Sequence, residues 1–237
     1  MYELRNVTKR YAKGRTTVSA LEDVDLDIAE GEFLSVQGPT GQGKTTLLQL
    51  LGALDRPTSG SVLFEGRDLA RMREGPLTQV RARNIGFVFQ GFNLIPTLTA
   101  QENVETALVP LNVAGTERRR RARAALGDVG LGERARHLPF ELSGGEQQRV
   151  AIARALVRDP KVILADEPAG NLDEGTRDEI IGLLERLWAE RGQTVVLVTH
   201  DSGVARRAPR GAWIYEGRLS IVEPAAVVEV AAEASGA

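Results

Sequence analysis

The chain has 237 residues, 42% of them apolar and 26% charged, which suffices for one large α/β domain with a substantial buried core. A formal net charge of -2 offers no basic excess for nonspecific nucleic-acid binding, and the absence of cysteine excludes disulfides and cysteine-ligated zinc or iron–sulfur centres. The first residues, MYELRNVTKRY, carry no apolar signal core and no apolar run approaches the roughly 20 residues of a membrane-spanning helix, so a cytoplasmic chain is expected, with any role at a membrane coming through a partner.

Leu26 to Ile28 and Glu32 to Val36 read as strands parted by the turn at Glu30-Gly31. The second runs into a glycine-rich turn, Gly38 to Gly43. A helix is expected from Thr45 to Leu54, closed by Arg56-Pro57-Thr58-Ser59-Gly60. Ser61 to Phe64 and Ile85 to Phe89 are further strands. Thr99-Ala100-Gln101-Glu102 is a capping box, and Pro110 limits the helix it opens. A second helix is expected over Glu117 to Val129 and a third from Ser143 to about Val157. Two apolar strands, Val162 to Ala165 and Thr194 to Val198, flank a helix that starts after Asp173 and ends at Gly192. Strands apolar throughout, alternating with helices, imply a parallel sheet covered on both faces. After Pro224 the chain reads as a short helix or a frayed tail.

Gly38-Pro39-Thr40-Gly41-Gln42-Gly43-Lys44-Thr45 fits the pattern G-x-x-x-x-G-K-[ST], between a strand and a helix. Glycines let backbone N–H groups close around phosphate oxygens, and the helix N-terminus adds its positive dipole end. Lys44 is expected to reach the β- and γ-phosphates and Thr45 to bind Mg²⁺; Thr46 completes the nucleotide-binding set.

Val162 to Ala165 ends in Asp166-Glu167-Pro168. In a parallel sheet the C-terminal strand ends face the ligand crevice. Asp166 fits Mg²⁺ coordination, direct or through water. Glu167 is expected to point elsewhere by strand alternation, where it polarises the attacking water.

Leu142-Ser143-Gly144-Gly145-Glu146-Gln147-Gln148-Arg149 is the most informative stretch. Ser143 as N-cap and Glu146 at the third helical position make a capping box. A cap leaves Gly144 and Gly145 unexplained, although each costs up to about 1 kcal/mol of helix propensity. Close approach of an anion to the helix start explains them. Because the chain already has one phosphate loop, this second helix start is read as serving a nucleotide held by another molecule.

LSGGEQQR resembles the signature motif of ABC ATPases, and the other motifs follow in that family's order over roughly Met1 to Arg218. The resemblance implies that Tyr11 stacks on adenine. Gln90 matches the Q-loop glutamine, which contacts Mg²⁺ or water and senses a membrane partner. Asp173 matches the D-loop at the dimer interface, and His200 the switch histidine that contacts the γ-phosphate. The implied fold is α/β: a P-loop NTPase (RecA-like) core with an antiparallel β subdomain and an inserted α-helical subdomain at about 91–160. The nucleotide-binding domain is expected over 1–223, with a tail at 224–237. The implied enzyme is a Mg²⁺-dependent ATPase that pairs head to tail with a second copy. Glu167, His200 and Gln90 act in catalysis, Thr45, Gln90 and Asp166 at the metal, and Ser143, Gly144, Gly145, Glu146 and Gln147 come from the other copy.

Phe89 to Val104 and Gly170-Asn171-Leu172-Asp173 resemble the MacB, LolD and FtsE group, whose ATPase is a separate subunit working with a membrane permease. Thr40 and Gln42 stand where that group usually has serines, and Ala169 where it usually has threonine. The Q-loop and helical insert are then expected to form the docking groove for the permease. The run Arg118 to Arg121 reads as a solvated helix face. A non-transport ABC ATPase and a nucleotide-gated scaffold remain as alternative readings; a P-loop kinase leaves the Ser143 motif unexplained.

Overall fold

The computed structural model describes residues 1–14 and 16–222, so the expected tail at 224–237 lies outside the described residues. In chain order the strands are β1 (Tyr2–Lys13), β2 (Thr16–Ile28), β3 (Phe33–Gln37), β4 (Ser59–Phe64), β5 (Arg67–Asp68), β6 (Ile85–Phe89), β7 (Val162–Asp166), β8 (Thr194–Val198), β9 (Arg210–Tyr215) and β10 (Arg218–Val222). The helices are α1 (Lys44–Leu51), α2 (Glu74–Asn84), α3 (Ala100–Glu105), α4 (Gly115–Asp128), α5 (Gly144–Leu156), α6 (Glu174–Arg191) and α7 (Ser202–Ala205).

Two sheets result. A four-stranded antiparallel sheet runs β2-β1-β4-β5, and a six-stranded sheet runs β10-β9-β3-β8-β7-β6. From β9 to β6 every neighbouring pair is parallel; β10 alone runs antiparallel to its neighbour. Strand alternation divides the core between the two faces of this sheet. Val162, Leu164, Val196 and Val198 join one apolar cluster with Tyr2, Ile28, Leu47, Leu51 and Leu77, from β1, β2, α1 and α2. Ile163, Ala165, Val195 and Leu197 join the other, with Val104, Leu126, Ile152 and Ile181 from α3 to α6. Burial on both faces is why β7 and β8 read as apolar runs, and β3 is likewise buried throughout although Ser35 and Gln37 interrupt it.

The stretch expected as a helical insertion holds α3, α4 and α5. Their apolar faces belong to the same cluster as α6 and the sheet. The Thr99 capping box forms, but α3 ends at Glu105 rather than at Pro110. The chain tightens there into a 3₁₀ turn, Thr106–Leu111, which contains the proline. α1 stops at Leu51, three residues short of the expected Leu54, where Gly52 caps it. The Arg118–Arg121 run is largely a solvated helix face: Glu117 takes both Arg120 and Arg121 at 2.7 Å, and those two guanidiniums hold its carboxyl down at about 2.

Candidate active site

The C-terminal ends of β3, β7 and β8 lie side by side in the sheet and open into a cleft of about 570 Å³. Tyr11, Val18, Ser19, Ala20, Gln90 and His200 line it together with the phosphate loop and the two acids.

The phosphate loop leaves β3 at Gln37 and enters α1 at Lys44. Gly43 has φ +106°, and a Cβ there would lie 2.1 Å from the carbonyl oxygen of Ala20 on β2, so no other residue fits without moving the strand. α1 starts with no side-chain cap and no acidic residue in its first turn, leaving its N-terminal end to an anion from outside. Lys44 Nζ donates to the carbonyls of Gly38 (2.6 Å) and Pro39 (2.9 Å), which holds the ammonium inside the loop. Burial lowers its pKa; the carboxylates of Glu167 and Asp166 pull it back up. Gln42 accepts from the Glu216 amide at 2.7 Å and pins the loop to the β9–β10 turn.

Asp166 is the last residue of β7. Its Oδ1 is 3.5 Å from Thr45 Oγ1. Burial raises its carboxyl pKa and the Glu167 charge adds to this, while Thr45 and Lys44 oppose it. Glu167 lies beyond the strand at φ +48°, with its amide clasped to the Val198 carbonyl at 2.9 Å. The expectation that strand alternation would turn it away from Asp166 is therefore corrected. A left-handed residue breaks the alternation, and both carboxylates line one cleft. Glu167 Oε1 meets His200 Nδ1 at 2.7 Å. Gln90 follows β6; its Nε2 donates to Asn171 Oδ1 at 3.0 Å, and Asn171 Nδ2 donates back to the Gln90 carbonyl at 3.3 Å. Tyr11 donates its hydroxyl to Asp55 at 2.8 Å, and the Lys9 ammonium sits 4.8 Å from its ring centroid.

Ser143 to Gln147 do not line this cleft. Ser143 caps α5 and forms the full box with Glu146, at 3.2 Å and 2.8 Å. Gln147 Nε2 donates to the Leu142 carbonyl at 3.0 Å. The two glycines also have a reason inside the chain. A Cβ on Gly145 would lie 2.4 Å from Thr176 Cγ2, and one on Gly144 3.0 Å from Leu172 Cδ2. Asp173 caps α6, accepting from the Thr176 amide at 3.1 Å and its hydroxyl at 2.7 Å.

Several site residues escaped sequence reasoning. Val18, Ser19 and Ala20 of β2 wall the cleft, and their run carries no motif. Asn171 sits inside the Gly170–Asp173 stretch, but only the fold brings it to Gln90. Lys9 and Asp55 reach Tyr11 from 2 and 44 residues away in sequence.

A profile of the ABC transporter family matches residues 21–170. The chain is 49% identical over 222 residues to the lipoprotein-releasing system ATP-binding protein LolD of Geobacter metallireducens, covering 92% of this chain and 97% of that one. It is 50% identical over 219 residues to a macrolide export ATP-binding/permease protein MacB of Paracoccus denitrificans, covering 92% of this chain but about a third (33%) of that longer protein. Its fold superposes, with a TM-score of 0.87 and 46% identity, on the dimeric post-hydrolysis structure of the ATP-binding cassette MJ0796 of Methanocaldococcus jannaschii bound to ADP and Pi; 94% of this chain and 99% of that one are covered. With the phosphate loop, the two acids and His200 assembled on one cleft, the chain belongs to the ABC transporter family, as one of its ATP-hydrolysing cassettes.

Proposed function

We propose that this cassette binds Mg-ATP at the strand ends, hydrolyses it as a head-to-tail dimer of two copies, and drives a separate membrane permease of the MacB and LolD kind from the cytoplasmic side. The observation that carries the dimer is the composition of the cleft. Lys44, Thr45, Gln90, Asp166, Glu167 and His200 gather there, while Ser143 to Gln147 stand outside it. The start of α5 is capped within its own chain, so what points to a second copy is that the signature stands apart from the cleft it is expected to complete. The dimeric MJ0796 cassette supports a pairing of two copies.

Within each site Lys44 and the open N-terminus of α1 hold the phosphates. Thr45, Asp166 and the Gln90 amide offer hard oxygen donors. Among the described residues no group of three or more His, Cys, Asp or Glu could hold a metal by itself. Such a set suits a Mg²⁺ that arrives on the phosphates, where it neutralises charge. Glu167 polarises the water that attacks the γ-phosphate in line, and His200 holds Glu167 and meets that phosphate. Tyr11, braced by Asp55, stacks on the base.

Among the described residues no helix is long and apolar enough to cross a membrane. A second cavity of about 300 Å³ supports docking to a protein that does. Phe87 and Phe89 stack there with ring centroids 5.6 Å apart, beside Arg154 and Arg158. That wall fits a partner segment bearing apolar side chains, since both guanidiniums already donate to backbone carbonyls of this chain.

The test is Glu167→Gln. Turnover is expected to fall by roughly 10²- to 10⁴-fold, the worth of a general base, while ATP binding persists and the variant elutes as a dimer in Mg-ATP. A variant that stays monomeric at saturating Mg-ATP would sink the dimer reading. Failure of the parent to co-purify with any integral membrane protein would sink the permease reading.

A further inference from the structure

His200 is held by little. Its side chain is 63% exposed, and its hydrogen-bond partner is Glu167 at 2.7 Å. Its placement therefore depends on the short loop between β8 and α7, residues 199–201. On one side that loop is anchored to the sheet, where the Thr199 amide donates to the Val36 carbonyl at 3.1 Å. On the other side it faces a cavity of about 140 Å³, walled by Glu167, Gly170, Leu172, Arg177, Thr199 and Asp201 among others. The turn after β7 and the loop carrying His200 are thus separated by space where they could have packed. Among the described residues two side-chain contacts cross the gap: Glu167 to His200, and an ion pair between Arg177 Nη1 and Asp201 Oδ2 at 2.9 Å.

Asp201 is built as a junction. Its Oδ1 accepts from the amides of Gly203 (2.7 Å) and Val204 (3.1 Å), capping α7, and its own amide donates to Thr199 Oγ1 at 3.1 Å. The second carboxylate oxygen goes to Arg177. Arg177 in turn belongs to the first turn of α6, its amide bonded to the Asp173 carbonyl at 2.8 Å and its Nη2 oriented by Glu174 at 3.3 Å. That turn also carries Thr176, which packs into the space left by Gly145. A continuous path therefore runs from the glycine-rich start of α5, through Thr176, Arg177 and Asp201, to His200 and Glu167.

We propose that Arg177 is a positioning residue for hydrolysis: its ion pair with Asp201 sets the His200 loop at a fixed distance from α6, so that closure of the partner on α5 and the Asp173 turn is felt at this copy's own Glu167–His200 pair. The proposal rests on the head-to-tail reading given above. Misplacement of a reacting group by about 1 Å can cost on the order of 10²-fold in rate, and a strut acting through His200 commands part of that.

Two variants test it. Arg177→Met removes the cation, and Asp201→Asn removes the charge while keeping an oxygen able to cap α7. Each is expected to lower kcat by on the order of 3- to 30-fold, part of that positioning range, with KM for ATP and the melting temperature close to those of the parent. Because both break one interaction, the double variant is expected to be no slower than the slower single variant. Arg177→Lys, which retains a donor, recovers part of the rate. Parent-like kcat in both single variants overturns the proposal, as does a KM that rises in step with the loss, or losses that multiply in the double variant. Glu167→Gln in the same series separates the two readings. A dimer in Mg-ATP with parent-like Arg177→Met kinetics sinks only the strut, whereas a monomer sinks the head-to-tail reading beneath it.

Discussion

Burial holds the Asp166 carboxyl above the ordinary Asp range, and the charge of Glu167 beside it adds to the shift. A raised pKa in the folded chain means that the native state binds this proton more tightly than the unfolded state does. The ionised carboxylate is then a native-state penalty at neutral pH, and the penalty fades as pH falls through the folded pKa toward the unfolded value. Sites of chemistry tolerate such penalties because the charge is wanted there. Asp166→Asn is therefore expected to raise the melting temperature of the nucleotide-free chain at pH 7 and to flatten its rise on mild acidification. Turnover is expected to drop on the order of 10²-fold or more, the scale of losing one electrostatic element of a preorganised site. Calorimetry without nucleotide, beside a phosphate-release assay, checks both; a lower melting temperature would contradict the assignment. At this scale the sequence makes residue types legible and their directions much less so. Asp166, Glu167 and His200 stand out in the chain, but that both acids share one cleft depends on the φ of +48° at Glu167. No side-chain pattern announces a left-handed glutamate.

Among the elements, α5 has more to do than present Ser143. Its Arg154 is largely buried, which lowers its pKa, and its guanidinium donates to the carbonyls of Phe92, at 2.7 Å, and Asn93. Both of those residues have positive φ, so the segment after Gln90 is bent back onto the helix, its near end held by Arg154 and its far end by the buried Asn103 amide at Ile95 and Leu98. Arg154→Met leaves two carbonyls without that donor, one exposed and one partly buried, at about 0.5–1.5 kcal/mol for each hydrogen bond exchanged with water. The expected result is a lower urea midpoint and faster hydrogen exchange over residues 91–94, with the core strands unchanged. Equal exchange in parent and variant would show that the segment is held by other contacts. Elements closed by local chemistry were readable in the sequence: Ile85 to Phe89 between polar neighbours, and the caps at Thr99, Ser143 and Asp173. Those that depend on partners far along the chain were not. β1 and most of β2 show polar outer faces because they form a sheet with one side exposed, and α2 offers only Leu77, Val80 and Ala82 to the core. Arg154 reads as surface charge until the fold turns it inward.

For the whole molecule, the central question is whether two copies share each site. In the sequence the case began with Gly144 and Gly145 as room for a phosphate. Packing against Leu172 and Thr176 now gives those glycines a second reason, so their presence alone no longer requires a partner's nucleotide. The weight moves to the separation of parts: the groups proposed to hydrolyse ATP line one cleft and Ser143 to Gln147 lie outside it. A sharing arrangement makes a prediction that no single-copy enzyme can meet. Take Glu167→Gln, which lacks the carboxylate proposed to polarise water, and Ser143→Arg, which blocks the helix start. Each alone builds dimers in which both sites are defective. In a mixed dimer both defects fall on the same site, since the Glu167→Gln cleft faces the Ser143→Arg helix. The other site then combines an intact cleft with an intact helix start. Random pairing of equal amounts gives mixed dimers half the time, each with one complete site, so about a quarter of all sites are whole under a two-fold head-to-tail arrangement. Mixing the two inactive proteins is expected to restore phosphate release toward that fraction, rising with total concentration as dimers form. If the mixture is no more active than the sum of its parts, while each variant still binds ATP and the two are shown to co-assemble, each site is complete within one chain and the pairing has another purpose.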